Sequence, residues 1–109
     1  MNIDKETQEK IKELQLYEQN LNNLMMQKQA FQVELNETEN ALTEINKSKD
    51  EIFKLIGNIM VKSDKEKIEK ELKKRRDMID LRLRSIEKQE ETVQKQLDEL
   101  KKDVLNKIK

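Results

Sequence analysis

The chain has 109 residues, with 23 Lys or Arg balanced by 23 Asp or Glu, a single Gly, and no Pro, Cys, His or Trp. An apolar fraction of 34% is too small for a compact core of ordinary density, so the apolar residues are expected to line an interface. Without His and Cys, the chain lacks the side chains most used for nucleophilic catalysis, proton transfer near neutral pH and transition-metal binding. We therefore expect no enzyme, no metal and no cofactor.

The balanced charge and the scarcity of Gly and Pro favour long charged helices over disorder. No apolar run approaches the roughly 20 residues of a membrane span, and the first ten residues, MNIDKETQEK, lack the hydrophobic core of a signal peptide. Without Cys, no disulfide points to an oxidising compartment. The default expectation is a cytoplasmic protein with no membrane partner.

The first arm, about residues 4–49, shows a helical heptad pattern. Apolar residues recur there with alternating steps of three and four, which keeps one seam facing a partner helix. Lys28 and Thr38 are the two polar residues in this seam. The ten seam positions are Leu14, Tyr17, Leu21, Leu24, Lys28, Phe31, Leu35, Thr38, Leu42 and Ile45.

The centre, about residues 51–62, predicts a β-hairpin. Two short β-branched and aromatic runs flank Gly57-Asn58, a two-residue turn in which Gly supplies a positive φ. Both faces of the ribbon are largely apolar and its edges are open, so other subunits must supply the missing strands. The predicted oligomerisation residues are Ile52, Phe53, Leu55, Ile56, Gly57, Asn58, Ile59, Met60 and Val61.

The helix starts around this centre admit two interpretations. Ser63-x-x-Glu66 reads as a capping box that begins the second helix. A rival box, Ser48-x-x-Glu51, would instead begin a helix through the first strand. The rival carries less weight because Gly57 would interrupt that helix at once.

The second arm, about residues 64–108, repeats apolar residues every seven positions and is flanked by a weaker apolar series, and the seam has gaps at Arg76 and Glu90. The main series is Leu72, Ile79, Ile86, Val93 and Leu100, and the weaker series is Leu83, Leu97 and Val104. If the chain folds back at Gly57-Asn58, residues whose numbers sum to about 115 meet, and Lys28 falls opposite Glu87. Charge agrees, because residues 1–54 carry 7 basic and 11 acidic side chains (net −4) and residues 55–109 carry 16 and 12 (net +4). We predict one domain over residues 1–109, a mostly α fold made of a long antiparallel two-helix coiled coil with a central β-hairpin.

Two other features have competing interpretations. The run Lys73-Lys74-Arg75-Arg76 could touch the phosphates of nucleic acid, but neighbouring acids and the neutral chain favour a solvated helix face and no nucleic acid partner. Apolar residues at the arm ends either finish the coiled coil or form a binding site exposed by fraying. The end residues are Ile3, Ile11, Leu14, Leu100, Val104, Leu105 and Ile108.

The residues Ile52 to Lys62, IFKLIGNIMVK, together with Ile86-Glu87-Lys88-Gln89-Glu90-Glu91 in the second arm, resemble the prefoldin β subunit family. The Gly-Asn turn is closer to the archaeal members. The resemblance implies a hexamer of two α and four β subunits, whose hairpins join into an intersubunit β-barrel.

The resemblance also implies an ATP-independent chaperone that captures unfolded polypeptides at the coiled-coil tips and delivers them to a group II chaperonin. The end residues above would then contact clients. The competing interpretation is a structural coiled-coil spacer or adaptor with one fixed partner, which explains the heptads but not the two-faced hairpin.

Overall fold

The computed structural model describes residues 4–48 and 51–108. Helix α1 (Lys5–Lys47) is followed by strands β1 (Ile52–Ile56) and β2 (Ile59–Ser63), and then by helix α2 (Lys65–Ile108). The two strands form an antiparallel sheet of order β1-β2. The predicted fold class, two long helices joined by a hairpin, is confirmed at the level of the single chain.

The turn between the strands has the backbone that its sequence demands. Gly57 adopts a φ of 60°, and Asn58 has no positive φ, which is the pattern of a type II′ turn with Gly at its first central position. A two-residue turn fixes the strand register, and Ile56 pairs with Ile59 as predicted. The rival helix through the first strand is therefore wrong.

Helix α2 begins differently from the prediction. Ser63 is the last residue of β2 and pairs with Ile52. The cap is Asp64, whose carboxylate accepts a hydrogen bond from the backbone N–H of Glu66 at 3.2 Å. The predicted Ser63-Glu66 capping box is wrong, because Asp64 rather than Ser63 occupies the N-cap position. The positive end of the helix dipole favours this carboxylate.

The predicted heptad seams are the buried stripes of both helices. All ten seam positions of α1 are buried or half-buried. The same is true of both apolar series of α2 and of the two gaps in its seam, Arg76 and Glu90. The seam of α1 thus includes its polar residue Thr38, which is 4% exposed. The Thr38 hydroxyl donates to the backbone carbonyl of Glu34 at 2.8 Å, so the buried hydroxyl is satisfied within its own helix.

The chain divides into two compact units. One unit comprises residues 1–29 and 84–109, and the other comprises residues 30–83 with the hairpin. The prediction of one domain over the whole chain stays a prediction.

The core of the hairpin unit is a small cluster of Leu35, Ile79 and Leu83, against which Phe31 packs. These residues come from both helices, and their numbers sum to values near 115, as the predicted fold-back requires. The Arg82 guanidinium lies 5.7 Å from the centre of the Phe31 ring, a cation–π contact. No described side chain has an exposed fraction below 2%, so the core is thin.

Candidate assembly and binding surfaces

The hairpin exposes a group of apolar side chains that we call the hairpin surface. Because neighbouring residues of a strand point to opposite faces, the register divides this group between both faces of the sheet. Each member is between 43% and 68% exposed. The hairpin surface consists of Phe53, Leu55, Ile56, Ile59, Met60 and Val61.

The hairpin is incomplete as a sheet. Within residues 4–48 and 51–108, β1 and β2 pair only with each other, so each strand leaves one edge of backbone donors and acceptors open. Lys54 on β1 forms an ion pair with Glu71 of α2 at 3.2 Å, and Lys62 on β2 pairs with Glu51 at 3.0 Å. The charges of the hairpin are thus paired locally, whereas its apolar side chains are exposed in this chain.

The predicted hairpin residue Ile52 takes a different position from the rest. It is half-buried and lines a groove of about 550 Å³ at the root of the hairpin, together with Ile45, Ile68 and Leu72 of the helices. The seam pattern alone does not place these three helical residues next to the hairpin. Ile45 and Leu72 are members of the predicted seams, and Ile68 lies four residues before Leu72, on the same side of α2.

The helix ends bury more of their apolar residues than the fraying argument implies. Leu105 is 59% exposed, whereas Val104 is 8% exposed. Ile11, Leu14, Leu100 and Ile108 are half-buried. Ile3 lies outside the described residues. The client-binding role of these residues stays a prediction, and among the six described members Leu105 is the most exposed.

Charged groups hold the two helix ends together. Lys107 contacts Glu6 at 3.1 Å, and Lys10 contacts Asp103 at 3.8 Å. The hydrogen bond from Lys107 to Glu6 raises the pKa of the Lys107 ammonium. These surface pairs are individually weak, but they join the first turns of α1 to the last turns of α2.

The start of α1 is capped by a carboxylate. The backbone N–H of Thr7 donates to Oδ1 of Asp4 at 2.7 Å. Hydrogen bonds from the side chain and the backbone of Thr7 lower the pKa of Asp4, because they favour its ionised form. The cap satisfies a helix N–H that would otherwise lack a partner.

Two of the three charged seam interruptions, Lys28 in α1 and Glu90 in α2, pair with each other. The Lys28 ammonium lies 3.2 Å from the Glu90 carboxylate, and the two side chains are 40% and 21% exposed. The ion-pair partner of Lys28 is therefore Glu90, which lies about one helical turn from Glu87, the residue predicted to face Lys28. A long lysine stem can follow the helix surface to reach the more buried carboxylate.

The basic run on α2 does not present a free cationic patch. Lys73 pairs with Glu69 at 3.2 Å, Arg75 with Glu34 at 2.8 Å, and Arg76 with Asp77 at 3.4 Å. Carboxylates next to the cations oppose binding to phosphates, which supports the solvated-face interpretation.

Neither a metal site nor a membrane span emerges from the part of the chain that the structure describes. There, no three His, Cys, Asp or Glu side chains are grouped so that they could hold a metal ion. In the same residues, no helix is long and apolar enough to cross a membrane.

Comparison with known proteins gives a consistent result. A protein-family profile described as a prefoldin subunit matches residues 8–109. The prefoldin subunit beta of Sulfurisphaera tokodaii is 36% identical over 94% of this chain and 83% of its own length. That of Pyrococcus furiosus is 37% identical over 91% of this chain and 86% of its own length.

A solved structure shows the same fold. The crystal structure of the prefoldin beta subunit from Thermococcus strain KS-1 superposes with a TM-score of 0.89 at 33% identity, over 96% of this chain and 94% of that one. Prefoldins are chaperones rather than enzymes, and membership implies a hetero-oligomeric complex with other prefoldin subunits. The chain belongs to the prefoldin family, with the archaeal beta subunits as its relatives.

Proposed function

We propose that this chain is the β-type subunit of a cytoplasmic, ATP-independent chaperone that binds unfolded polypeptides at its helix ends, prevents their aggregation and delivers them to a group II chaperonin. The assembly is a hexamer of two α and four β subunits. One observation carries the proposal: the six side chains of the hairpin surface are 43% to 68% exposed on a sheet with two open edges. A spacer with one fixed partner gives no reason for such a hairpin.

Several subunits are needed because each helix end offers little apolar area. Leu105 is well exposed, and four of the other end residues are half-buried. Several ends around one cavity raise the effective concentration of binding groups, so that weak contacts together retain a client. The surrounding Lys and Glu residues keep the empty ends soluble.

The test measures suppression of aggregation by the complex assembled with α-type subunits. Deleting about ten residues from each end is expected to leave the oligomer intact but to abolish suppression. A matched pair of single substitutions sharpens the test. Leu105→Ser should weaken suppression, whereas Leu81→Ser, at a leucine 68% exposed in the hairpin unit, should not. Full suppression by the truncated complex would show that clients bind elsewhere.

A further inference from the structure

Residues 19–27 of α1 are unusual for this chain. Their sequence, QNLNNLMMQ, has no charged residue, although 42% of the chain is charged. It is the longest uncharged run in the sequence, and five of its nine residues are Asn or Gln. The solvated helix faces elsewhere in this protein carry Lys and Glu, so this segment differs from them in composition.

This segment lines a groove of about 570 Å³ on one side of the helix pair, in the unit that contains the chain ends. Half-buried Leu24 and Val93 contribute its apolar part. We call it the amide groove, since its polar lining is almost entirely uncharged, with Lys88 as the exception. The exposed uncharged polar residues along it are Asn20, Asn23, Gln27, Ser85, Gln89 and Thr92.

The amides of the groove are free to bind a ligand. Gln94 donates to Asp98 at 3.1 Å and Gln32 donates to Asn36 at 3.3 Å, so these amides are engaged within their own helices. The side chains of Asn20, Asn23 and Gln27 make no hydrogen bond to any residue in the ranges 4–48 and 51–108, and neither do the exposed amides Asn22 and Gln29 outside the groove. Each of these amides offers both donors and an acceptor.

We propose that the amide groove binds the main chain of an extended, unfolded polypeptide. A peptide unit carries one donor and one acceptor, which a carboxamide complements whatever the side chains of the client. Asn20 to Gln27 span about 10 Å of helix at 1.5 Å per residue, which matches about three residues of an extended chain at roughly 3.3 Å each. A cationic ligand is disfavoured, because the groove offers one cation and no anion.

The proposal rests on the proposed chaperone function and adds a second contact to it. The helix ends would select apolar side chains, whereas the amide groove would hold backbone without regard to sequence. Binding two chemically different features of the same client increases avidity without requiring any single tight site.

The experiment compares two double variants of equal composition in the complex assembled with α-type subunits. N23A/Q27A removes two amides from the groove, and N22A/Q29A removes two exposed amides of α1 that do not line it. Two probes of about 40 residues are used, long enough to reach several subunits. One is a Gly-Ser repeat, and the other is the same repeat with N-methylglycine in place of glycine, which removes half of the backbone donors.

The complex with unaltered grooves should bind the Gly-Ser repeat roughly tenfold more tightly than its N-methylated counterpart, as expected for the loss of one or two net hydrogen bonds. N23A/Q27A should lose this preference and N22A/Q29A should keep it. Equal binding of the two probes, or equal behaviour of the two variants, overturns the proposal.

A permanently unfolded, apolar client, reduced and carboxymethylated lactalbumin, is measured in parallel. If the unaltered complex leaves it unbound, the chaperone function itself fails and the groove proposal fails with it. If the client binds while the two double variants behave alike, only the groove proposal is refuted.

Discussion

Replacing Ile59 and Val61 with Asp is expected to prevent assembly with α-type subunits while leaving the helices in place. The two residues lie on the same face of β2, two positions apart, and are 67% and 43% exposed. Fully burying such a side chain contributes roughly 1.5–3 kcal/mol, so covering the exposed fractions of both stabilises an interface by about 2–3 kcal/mol.

The Asp substitutions forfeit this burial and add the cost of placing two carboxylates in an apolar contact, which is several kcal/mol for each ion. The combined penalty is on the order of 5 kcal/mol or more per hairpin, equivalent to a loss of over a thousandfold in the association constant. The isolated chain loses little, because both residues are substantially exposed there.

Size-exclusion chromatography with light scattering measures the assembly, and far-ultraviolet circular dichroism measures the helices, which contain 43 and 44 residues. The matched control is M78D/L81D, since these two side chains of α2 are 51% and 68% exposed but lie outside the hairpin. If I59D/V61D still assembles, or if the control dissociates equally, the hairpin is not the assembly surface.

Three further predictions concern the turn, the seam and a helix cap. Gly57→Ala should destabilise the hairpin by about 1 kcal/mol in urea unfolding, and Gly57→Asn should destabilise it by less. A Cβ at this position meets no atom within 4 Å, so the cost comes from the positive φ alone. K28L/E90L should raise the melting temperature, and E90L alone should lower it. The coupling free energy between Lys28 and Glu90 should be at most about 1 kcal/mol, because both side chains are partly solvated. The depressed pKa of Asp4 means that its cap contributes stability above the unfolded-state pKa and loses it as the pH falls through the folded-state pKa. The Thr7 amide shift in NMR should follow that titration, and Asp4→Asn should abolish it.

The hairpin could be predicted closely because its determinants are local. Gly57 and Asn58 form a two-residue turn, and a turn of this length fixes which residues of the two strands pair. The pairing of Leu55 with Met60 therefore follows from the sequence alone. The heptad seams were equally predictable, because burial follows the 3.5-residue period along both helices. The barrel to which the hairpin contributes stays a prediction from the family.

Choices between adjacent or flexible groups could not be read from the sequence. Ser63 and Asp64 are both good caps, and the outcome depended on where β2 ended. Similarly, the backbone register near Lys28 was predictable, but a side chain with four rotatable bonds reached Glu90 rather than Glu87. Exposure at the helix ends was also overestimated, because Val104 belongs to a heptad series and packs, whereas Leu105 lies outside it.

The distribution of charge along the chain agrees with two of the proposed contact surfaces, the hairpin surface and the amide groove. In a chain that is 42% charged, the two longest uncharged runs are residues 19–27 and residues 55–61. The second run contains most of the hairpin surface, which is the predicted assembly surface, and charge there would oppose burial against other subunits. The first run lines a groove that stays open in the chain, and its amides keep it hydrated without attracting ions. Charge is therefore sparse at the hairpin surface and the amide groove, whereas Lys and Glu surround the apolar residues of the helix ends that are proposed to bind clients.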